Sequence, residues 1–343
     1  MGYTVKSSEK LRKTAAEMET KALLYLMNFS SYSNDIHYFV VDFFNDLTGM
    51  DNFATKLYDL QSKGAKNSSP KSIGKELVTL FKNYISDIEF EQYILFFGEP
   101  TSTFKKDSTL TSFGIENIKK DALSKMIDGL KEECNKKTYI DNAMVKEELI
   151  IDFMNKVLFV IDDKPPENYV MKIIENHLSI IPSNDLLRAI FNEIRDKQSV
   201  KKNISIVEEI TISETAESLQ FFRHLTANEI KLLTLQRIIN RDPVTKNIPE
   251  SFLPICNACP PENKKEMLEN CQQSMCRALF NKNQAVNFWS LFENIYIVAT
   301  KNPKYTIDMI YNNIDKGKMR KCTDLDVIST KYFISIIKDG VLV

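Results

Sequence analysis

The chain has 343 residues, of which 43% are hydrophobic and 27% are charged, a composition typical of a globular protein long enough for two domains. Its 45 basic and 46 acidic residues nearly cancel, which excludes a global field that would draw the protein to nucleic acid or membrane. No apolar run approaches the roughly 18 residues of a membrane span, the N-terminal residues lack an apolar signal core, and the six cysteines form no dense framework. We therefore expect a cytoplasmic protein with no membrane association and with reduced thiols.

The first predicted element is a helix over residues 8–29, where apolar residues recur at three- and four-residue spacing. Glu17 lies off the apolar stripe, beside Lys13 and Lys21. Glu19 differs, because its neighbours one helical turn away are apolar and place it at the buried edge of the helix. A carboxylate in that position needs a partner, since desolvating an unpaired charge is costly.

Three strands and a second helix are predicted next. Residues 36–44 are aromatic and β-branched on both faces, which indicates an internal strand that closes on Asn45 and Asp46. The second and third strands are KLYDLQSKG and YILFFGE, and a helix begins between them at Pro70 and extends to Ile88. This order predicts an α/β unit of about 100 residues, with the initial helix packed beside the strands.

A set of polar side chains gathers on this unit. Side chains alternate along a strand, so Asp59, Gln61 and Lys63 share one face of KLYDLQSKG. By itself such a face is more often the wet side of an edge strand, but Asp46 on the preceding strand and Glu19 on the packed helix add two carboxylates. Oxygen ligands suit a hard cation such as Mg²⁺, the cation polarises a phosphate and activates water, and a lysine stabilises developing charge. The set indicates metal-dependent phosphodiester hydrolysis.

Lysines cluster in the second strand and beyond it. From Lys56 to Lys82 there are six lysines against two acidic residues, a local excess of four positive charges. Lys66, Lys71 and Lys75 are the predicted DNA contacts, since lysines bind the phosphate backbone without reading its sequence. The alternative is a solvated helix face, which isolated charges of this kind more often form.

The chain resembles a PD-(D/E)xK nuclease core over about residues 10–110, in a helix with Glu19, a strand ending in Asp46, D-x-Q-x-K at 59–63, a lysine-bearing helix and the strand YILFFGE. More narrowly, it is similar to the double-stranded DNA endonuclease domain of CD-NTase-associated anti-phage effectors, a domain also found beside HerA-type ATPases. The resemblance implies a restriction-endonuclease-like α/β fold and cleavage of double-stranded DNA with Mg²⁺ (or Mn²⁺) and little sequence preference. It is compatible with a homo-oligomer and with a HerA-type ATPase partner.

The resemblance also assigns roles to individual residues. It makes Asp46 the principal metal ligand, Gln61 the amide variant of the second ligand, and Lys63 the catalytic lysine. Glu19 matches the helix-borne acidic ligand, with Glu17 as its competitor. The implied metal ligands are therefore Glu19, Asp46 and Gln61, and the implied catalytic residues are Asp46, Gln61 and Lys63.

The neutral Gln61 separates this chain from members of the superfamily that have E-x-K. Metal affinity then depends more on the two carboxylates, and Asp42 and Asp59 are reserve ligands, since each lies four residues before a primary candidate on the same strand face. The alternative function is a catalytically degenerate nuclease-fold scaffold, or a subunit of a defence complex, that binds protein partners.

The rest of the chain is predicted to be mostly α-helical. Residues 1–135 are assigned to the nuclease-like α/β domain, and residues 136–343 to a mainly helical assembly or regulatory domain, because helical apolar spacing dominates there. Strand-like runs remain at 203–213 and in the tail YFISIIKDGVLV.

Four cysteines offer a different kind of site. Cys256 and Cys259, with Cys271 and Cys276 downstream, have the count and rough spacing of a zinc site. The second pair, however, lies on one continuous predicted helix about 140° apart, so the two sulfurs do not easily converge on one ion. Buried thiols are the favoured interpretation.

Overall fold

The computed structural model describes residues 2–5, 13–174, 182–205, 207–244 and 247–341. The chain divides into two compact units, one of residues 1–169 with 192–227 and the other of residues 170–191 with 228–343. The domain boundary predicted at 135/136 therefore falls inside the first unit. The reason is that a strand at 157–161 pairs within the sheet of that unit and a later segment of the chain returns to it.

The first unit contains both helices and strands. In chain order its elements are β1 (Tyr3–Thr4), α1 (Lys13–Asn28), β2 (Tyr38–Val41), β3 (Leu47–Met50), β4 (Leu57–Lys63), α2 (Pro70–Glu76), α3 (Val78–Tyr84), β5 (Gln92–Phe97), β6 (Ser112–Phe113), α4 (Lys120–Cys134), α5 (Glu147–Lys156), β7 (Val157–Ile161), α6 (Pro166–Ile173), α7 (Asn184–Asn203), β8 (Thr211–Ile212) and β9 (His224–Thr226). α6 and α7 cross the divisions of the chain between the units. Residues 8–12 of the predicted first helix lie outside the described residues.

Seven strands of the described chain form one mixed sheet in the order β6-β7-β5-β4-β3-β2-β9. β2, β3 and β4 are antiparallel neighbours, whereas β4, β5 and β7 run parallel. β9 pairs with β2 at one edge, so residues 192–227 complete the sheet, and β1 pairs separately with β8. The prediction of an α/β region followed by a helical C-terminal portion is confirmed.

The strand predicted over residues 36–44 is instead the first half of a β-hairpin. β2 ends at Val41, Asp42 has a φ of 49° in the left-handed region, and β3 begins at Leu47. Asp46 therefore precedes β3, and the prediction that it ends the first strand is wrong. Aromatic and β-branched residues gave no sign of the turn, although Asp is among the few residues other than Gly that adopt left-handed backbone readily.

The helix predicted from Pro70 begins where expected. Ser69 Oγ accepts a hydrogen bond from the backbone N of Ser72 (3.2 Å), and Pro70 occupies the first turn. The prediction of one continuous helix to Ile88 is wrong, because the helix breaks at Leu77 into α2 and α3.

α2 and α4 approach each other closely at two glycines. A Cβ atom at Gly74 would lie 2.0 Å from the carbonyl oxygen of Met126, and one at Gly129 would lie 2.1 Å from the carbonyl oxygen of Lys71. Because any larger side chain would clash with backbone, the glycines allow this approach. The contact fixes the lysine-bearing helix α2 against α4.

The second unit is helical in its described residues. Besides its parts of α6 and α7 it contains α8 (Ala227–Ile239, from residue 228), α9 (Leu253–Ala258), α10 (Lys264–Phe280), α11 (Ala285–Lys301), α12 (Ile307–Asn313), α13 (Lys316–Lys321) and α14 (Val327–Val341). α14 packs against α10, α11 and α12. Trp289, Phe292 and Phe333 lie in the core of this unit.

Both strand-like runs predicted in the C-terminal part are mainly helix or irregular. The tail through Val341 belongs to α14, and residues 342 and 343 lie outside the described residues. Residues 332–337 are all buried, so apolar residues surround the helix and hide the helical spacing. In the run at 203–213, α7 extends through Asn203 and a strand forms at Thr211–Ile212, while residue 206 lies outside the described residues.

Candidate functional site

Asp46 and Gln61 meet between β3 and β4. These strands are antiparallel with Leu47 opposite Leu60, so Asp46, directly before β3, lies beside Gln61 and Ser62. Asp46 Oδ2 accepts hydrogen bonds from Gln61 Nε2 (2.8 Å), Ser62 N (2.9 Å) and Ser62 Oγ (3.0 Å). Within the described ranges no group donates to Asp46 Oδ1, so this oxygen can still accept a ligand. The structure thus brings together two residues that the sequence had placed in one site.

Lys63 lies at the end of β4, near the same carboxylate. Burial raises the pKa of Asp46, while the Lys63 charge and the hydrogen bonds from Ser62 oppose this rise. Lys63 Nζ lies 3.3 Å from Glu76 Oε2, and the Lys63 side chain is 34% exposed. An ion pair so exposed contributes little free energy, so the contact with Glu76 itself holds Lys63 only weakly.

Of the two acidic candidates on α1, Glu19 is the buried one, although it is not among the residues that line the cleft of Asp46 and Gln61. Glu17 is half-exposed and lies 3.9 Å from Lys21. Glu19 is buried, and Lys202 Nζ donates to its Oε1 over 3.3 Å. Burial raises the pKa of Glu19 to about 7, the Lys202 charge opposes this rise, and the charge of Asp46 adds to it. Glu19 is therefore within electrostatic reach of Asp46, and its predicted need for a partner is met by Lys202.

Two cations of the site come from far along the chain and were not predicted. Arg223, just before β9, donates from Nη2 to Asp42 Oδ2 (2.8 Å), and Lys202 on α7 lies 4.0 Å from Asp42 Oδ1. Burial raises the pKa of Asp42 to about 6, against the charges of Lys202 and Arg223. The one sequence signal was the rule that a buried Glu19 needs a partner. No local motif marks either cation.

Asp59 belongs to a buried polar network. It is fully buried, and Asn83 Nδ2 donates to Asp59 Oδ2 (2.7 Å). Tyr3 OH donates in turn to Asn83 Oδ1 (2.9 Å). Burial raises the pKa of Asp59 to about 7, and the hydrogen bond from Asn83 opposes this rise. Asp59 shares the strand face of Gln61 but lies where a ligand does not reach it, so its interpretation as a reserve ligand is wrong.

Asp46, Gln61 and Lys63 line one cleft of about 390 Å³. The charged side chains of its lining are balanced, with four lysines and four acids: Lys63, Lys75, Lys82, Lys137, Asp42, Asp46, Glu76 and Glu133. The cleft is thus polar and can admit a phosphate without carrying a strong positive field.

The predicted DNA-binding lysines lie only partly at this cleft. Lys75 lines it, whereas Lys66 is exposed in the loop after β4 and Lys71 lies outside the lining. Lys71 and Lys75 both pair with Glu132 of α4, at 2.8 Å and 2.7 Å. Hydrogen bonds from Lys136, Lys71 and Lys75 hold the pKa of Glu132 far below its usual range. Glu132 therefore reduces the positive excess counted along the sequence.

The oxygen donors at the cleft fit a loosely held Mg²⁺ rather than a closed metal cage. In the described part of the chain, no group of three or more His, Cys, Asp or Glu side chains is arranged to hold a metal ion. Mg²⁺, however, usually takes one or two protein carboxylates and completes its shell with waters and substrate phosphates. The Asp46 carboxylate and the Gln61 amide fit that requirement. Glu19, the third predicted ligand, is held by Lys202.

The cysteines of the second unit are free thiols, and three of them lie in helices. Cys271 and Cys276 both lie on the continuous helix α10, as predicted, and Cys256 lies on α9. Burial raises the pKa of Cys271 to about 11. Because the thiolate is the form that binds metals, burial favours the thiol interpretation of this residue.

Comparisons with known proteins give no family for this chain. No family model, no curated protein and no solved structure matches it. The resemblance to PD-(D/E)xK nucleases therefore depends on the order of Glu19, Asp46, Gln61 and Lys63 along the chain. Among the described helices, none combines the length and the apolar character needed to cross a membrane.

Proposed function

We propose that the first unit is a metal-dependent DNA endonuclease of anti-phage defence, which hydrolyses phosphodiester bonds of double-stranded DNA with little sequence specificity. The observation that carries the proposal is the convergence of Asp46, Gln61 and Lys63 on one polar cleft. The order of α1, the β2–β4 strands, α2 and β5 further supports the resemblance from which these roles come.

In this proposal each residue has a distinct role. Asp46 and Gln61 would hold Mg²⁺ or Mn²⁺, through the free Oδ1 of the carboxylate and the amide oxygen, with Glu19 as a third ligand. The bound ion would supply polarisation of the scissile phosphate and a more acidic water. Lys63, once turned from Glu76, stabilises the charge that develops on the phosphate oxygens.

The DNA backbone would lie along the lysines of β4, the following loop and α2. Lys63 and Lys75 reach the cleft, and Lys66 extends the contact into the loop. Such contacts neutralise phosphates and carry no sequence information, which agrees with weak sequence preference. Lys71 and Lys75 would exchange Glu132 for phosphates when DNA binds.

Plasmid cleavage tests the proposal directly. We expect wild-type protein with Mg²⁺ to degrade plasmid DNA, Lys63→Ala and Asp46→Ala to lose the activity, and Lys120→Ala, an exposed lysine at the start of α4, to retain it. Folding of each variant is checked by thermal unfolding. Equal cleavage by wild type and Lys63→Ala would remove Lys63 from the mechanism. If wild type does not cleave DNA, either alone or with partner proteins, the proposed endonuclease activity is contradicted.

The ion pairs at the site favour a second candidate, a catalytically degenerate scaffold that binds protein partners in a defence complex. Glu19 and Asp42 already have cationic partners in Lys202 and Arg223. Metal titration separates the two functions: if neither Mg²⁺ nor Mn²⁺ binds, and Asp46→Ala leaves thermal stability in metal unchanged, the scaffold is supported. A homo-oligomer or a HerA-type ATPase partner is compatible with either function, and co-purification tests both.

A further inference from the structure

A buried ammonium lies among the carboxylates of the candidate site. The side chain of Lys202 is 5% exposed, and its Nζ lies 3.3 Å from Glu19 Oε1 and 4.0 Å from Asp42 Oδ1. Glu19 is also buried, with its side chain 7% exposed. A charge pair so desolvated interacts far more strongly than a surface pair, because little water screens it.

The position of Lys202 is fixed by its neighbours on both helices. One turn earlier on α7, Gln198 Oε1 accepts a hydrogen bond from Thr20 Oγ1 (2.9 Å), and both side chains are buried. Thr20 follows Glu19 directly on α1, so the two helices present Thr20 and Glu19 to Gln198 and Lys202. The ammonium is therefore held at Glu19 by packing as well as by charge.

The charge of Lys202 acts on three carboxylates. It opposes the rise in pKa that burial causes at Glu19, at Asp42 and at Asp46. Asp46 in turn raises the pKa of both Glu19 and Asp42 by repulsion. Lys202 thus compensates the negative charge that a divalent cation would otherwise compensate at this site, and Arg223 adds to this at Asp42.

We infer that Lys202 is an internal counter-ion of the proposed metal site, and that a divalent cation can use Glu19 as a ligand only by displacing the Lys202 ammonium from it. The inference rests on the proposed function, because Glu19 and Asp46 are its metal ligands. An ammonium and a divalent ion on one buried carboxylate repel each other. Glu19 therefore either pairs with Lys202 or binds the divalent ion, but does not do both at once. The site is weakly metal-binding while Lys202 is in place and stronger once it has moved.

Mn²⁺ binding without DNA tests the inference. Isothermal titration of metal-stripped protein compares wild type, Lys202→Met and Lys201→Met, where Lys201 is the neighbouring lysine on α7 and gives the same change in net charge. We expect Lys202→Met to bind Mn²⁺ about tenfold more tightly than wild type or more, because one buried repulsive charge is removed. Lys201→Met should bind as wild type does, and Asp46→Ala should bind more weakly.

The outcomes separate the inference from the proposed function. Equal or weaker Mn²⁺ binding by folded Lys202→Met, with binding by wild type, overturns the counter-ion role and leaves the metal site standing. Binding by Lys202→Met with none by wild type supports the counter-ion role and contradicts the endonuclease for the protein without partners. If neither wild type nor folded Lys202→Met binds Mn²⁺, both the counter-ion role and the proposed metal-dependent endonuclease are overturned.

A second measurement needs no variant at position 202. Lys202 is buried, so without added metal it should react slowly with a small amine-modifying reagent, as quantified by mass spectrometry of its peptide. Mg²⁺ should increase its reactivity severalfold if the ammonium is displaced, while that of Lys201 stays constant. Metal binding with unchanged reactivity of Lys202 would overturn the inference, even if Lys202→Met does not fold.

Discussion

Asp59→Asn should remove a pH-dependent part of the stability of the first unit. Asp59 is fully buried, and burial raises the pKa of its carboxyl from 3.8 to about 7. A carboxyl with a higher pKa in the folded state binds more protons when folded, so the free energy of unfolding falls as pH rises from about 4 to about 7 and is level above that. A shift of about three units corresponds to roughly 4 kcal/mol over this range.

The measurement must report on the first unit alone. The single tryptophan, Trp289, lies in the second unit, so its fluorescence does not follow unfolding around Asp59. Hydrogen exchange of peptides that cover β4, a central strand, reports the opening free energy there. Glu19 and Asp42 in the same unit also have raised pKa values, so both proteins should lose stability as pH rises. We expect Asp59→Asn to lose about 2 kcal/mol less of this free energy than wild type between pH 5.5 and pH 8.

A matched variant removes an exposed carboxyl instead. Asp128→Asn, on the exposed side of α4, should keep the pH dependence of wild type. If Asp59→Asn and wild type lose the same free energy between pH 5.5 and pH 8, the buried carboxyl is not the titrating group and the reasoning is refuted.

Three further changes test the packing and the charges around the cleft. Gly129→Ala should destabilise the first unit by about 1–3 kcal/mol in thermal unfolding, because its Cβ would lie 2.1 Å from the Lys71 carbonyl oxygen. The control Gly64→Ala should be tolerated, because the nearest atom to its Cβ would be 3.9 Å away. Glu132→Gln frees the lysines of α2 and should raise affinity for a labelled DNA duplex severalfold at low salt, measured by fluorescence anisotropy; unchanged affinity would exclude those lysines as DNA contacts. Arg223→Met removes the buried cation that pairs with Asp42 and should lower the free energy of unfolding by about 3–5 kcal/mol, seen as faster hydrogen exchange in β2. Unchanged protection of β2 would show that this ion pair contributes little to stability.

Local patterns in the sequence predicted local features well. The buried edge of the first helix at Glu19, the strand β4 and the start of α2 at Pro70 all depend on near neighbours in the chain, and the structure has each of them. The turn at Asp42 was missed, because its flanking residues are strongly β-forming and only the backbone angle marks it.

The partners of these residues could not be predicted in the same way. Glu19 and Lys202 are 183 positions apart, and no pattern in α7 distinguishes Lys202 from the lysine before it. Glu132 lies 57 positions after Lys75, so a count of charges between 56 and 82 did not include the acid that neutralises part of them. A sequence indicates which side chain needs a partner, but the tertiary fold decides which one it receives.

The return of residues 192–227 to the first unit also determines when that unit can be completed during synthesis. A chain grows from its N-terminus at about 5–20 residues per second, so β7 is made several seconds before β9 and Arg223. Until then β2 is an unpaired sheet edge, and Glu19 and Asp42 lack their cations. A ribosome stalled in this interval, or a message cut short, therefore yields an incomplete fold, which cellular proteases remove more readily than the finished protein.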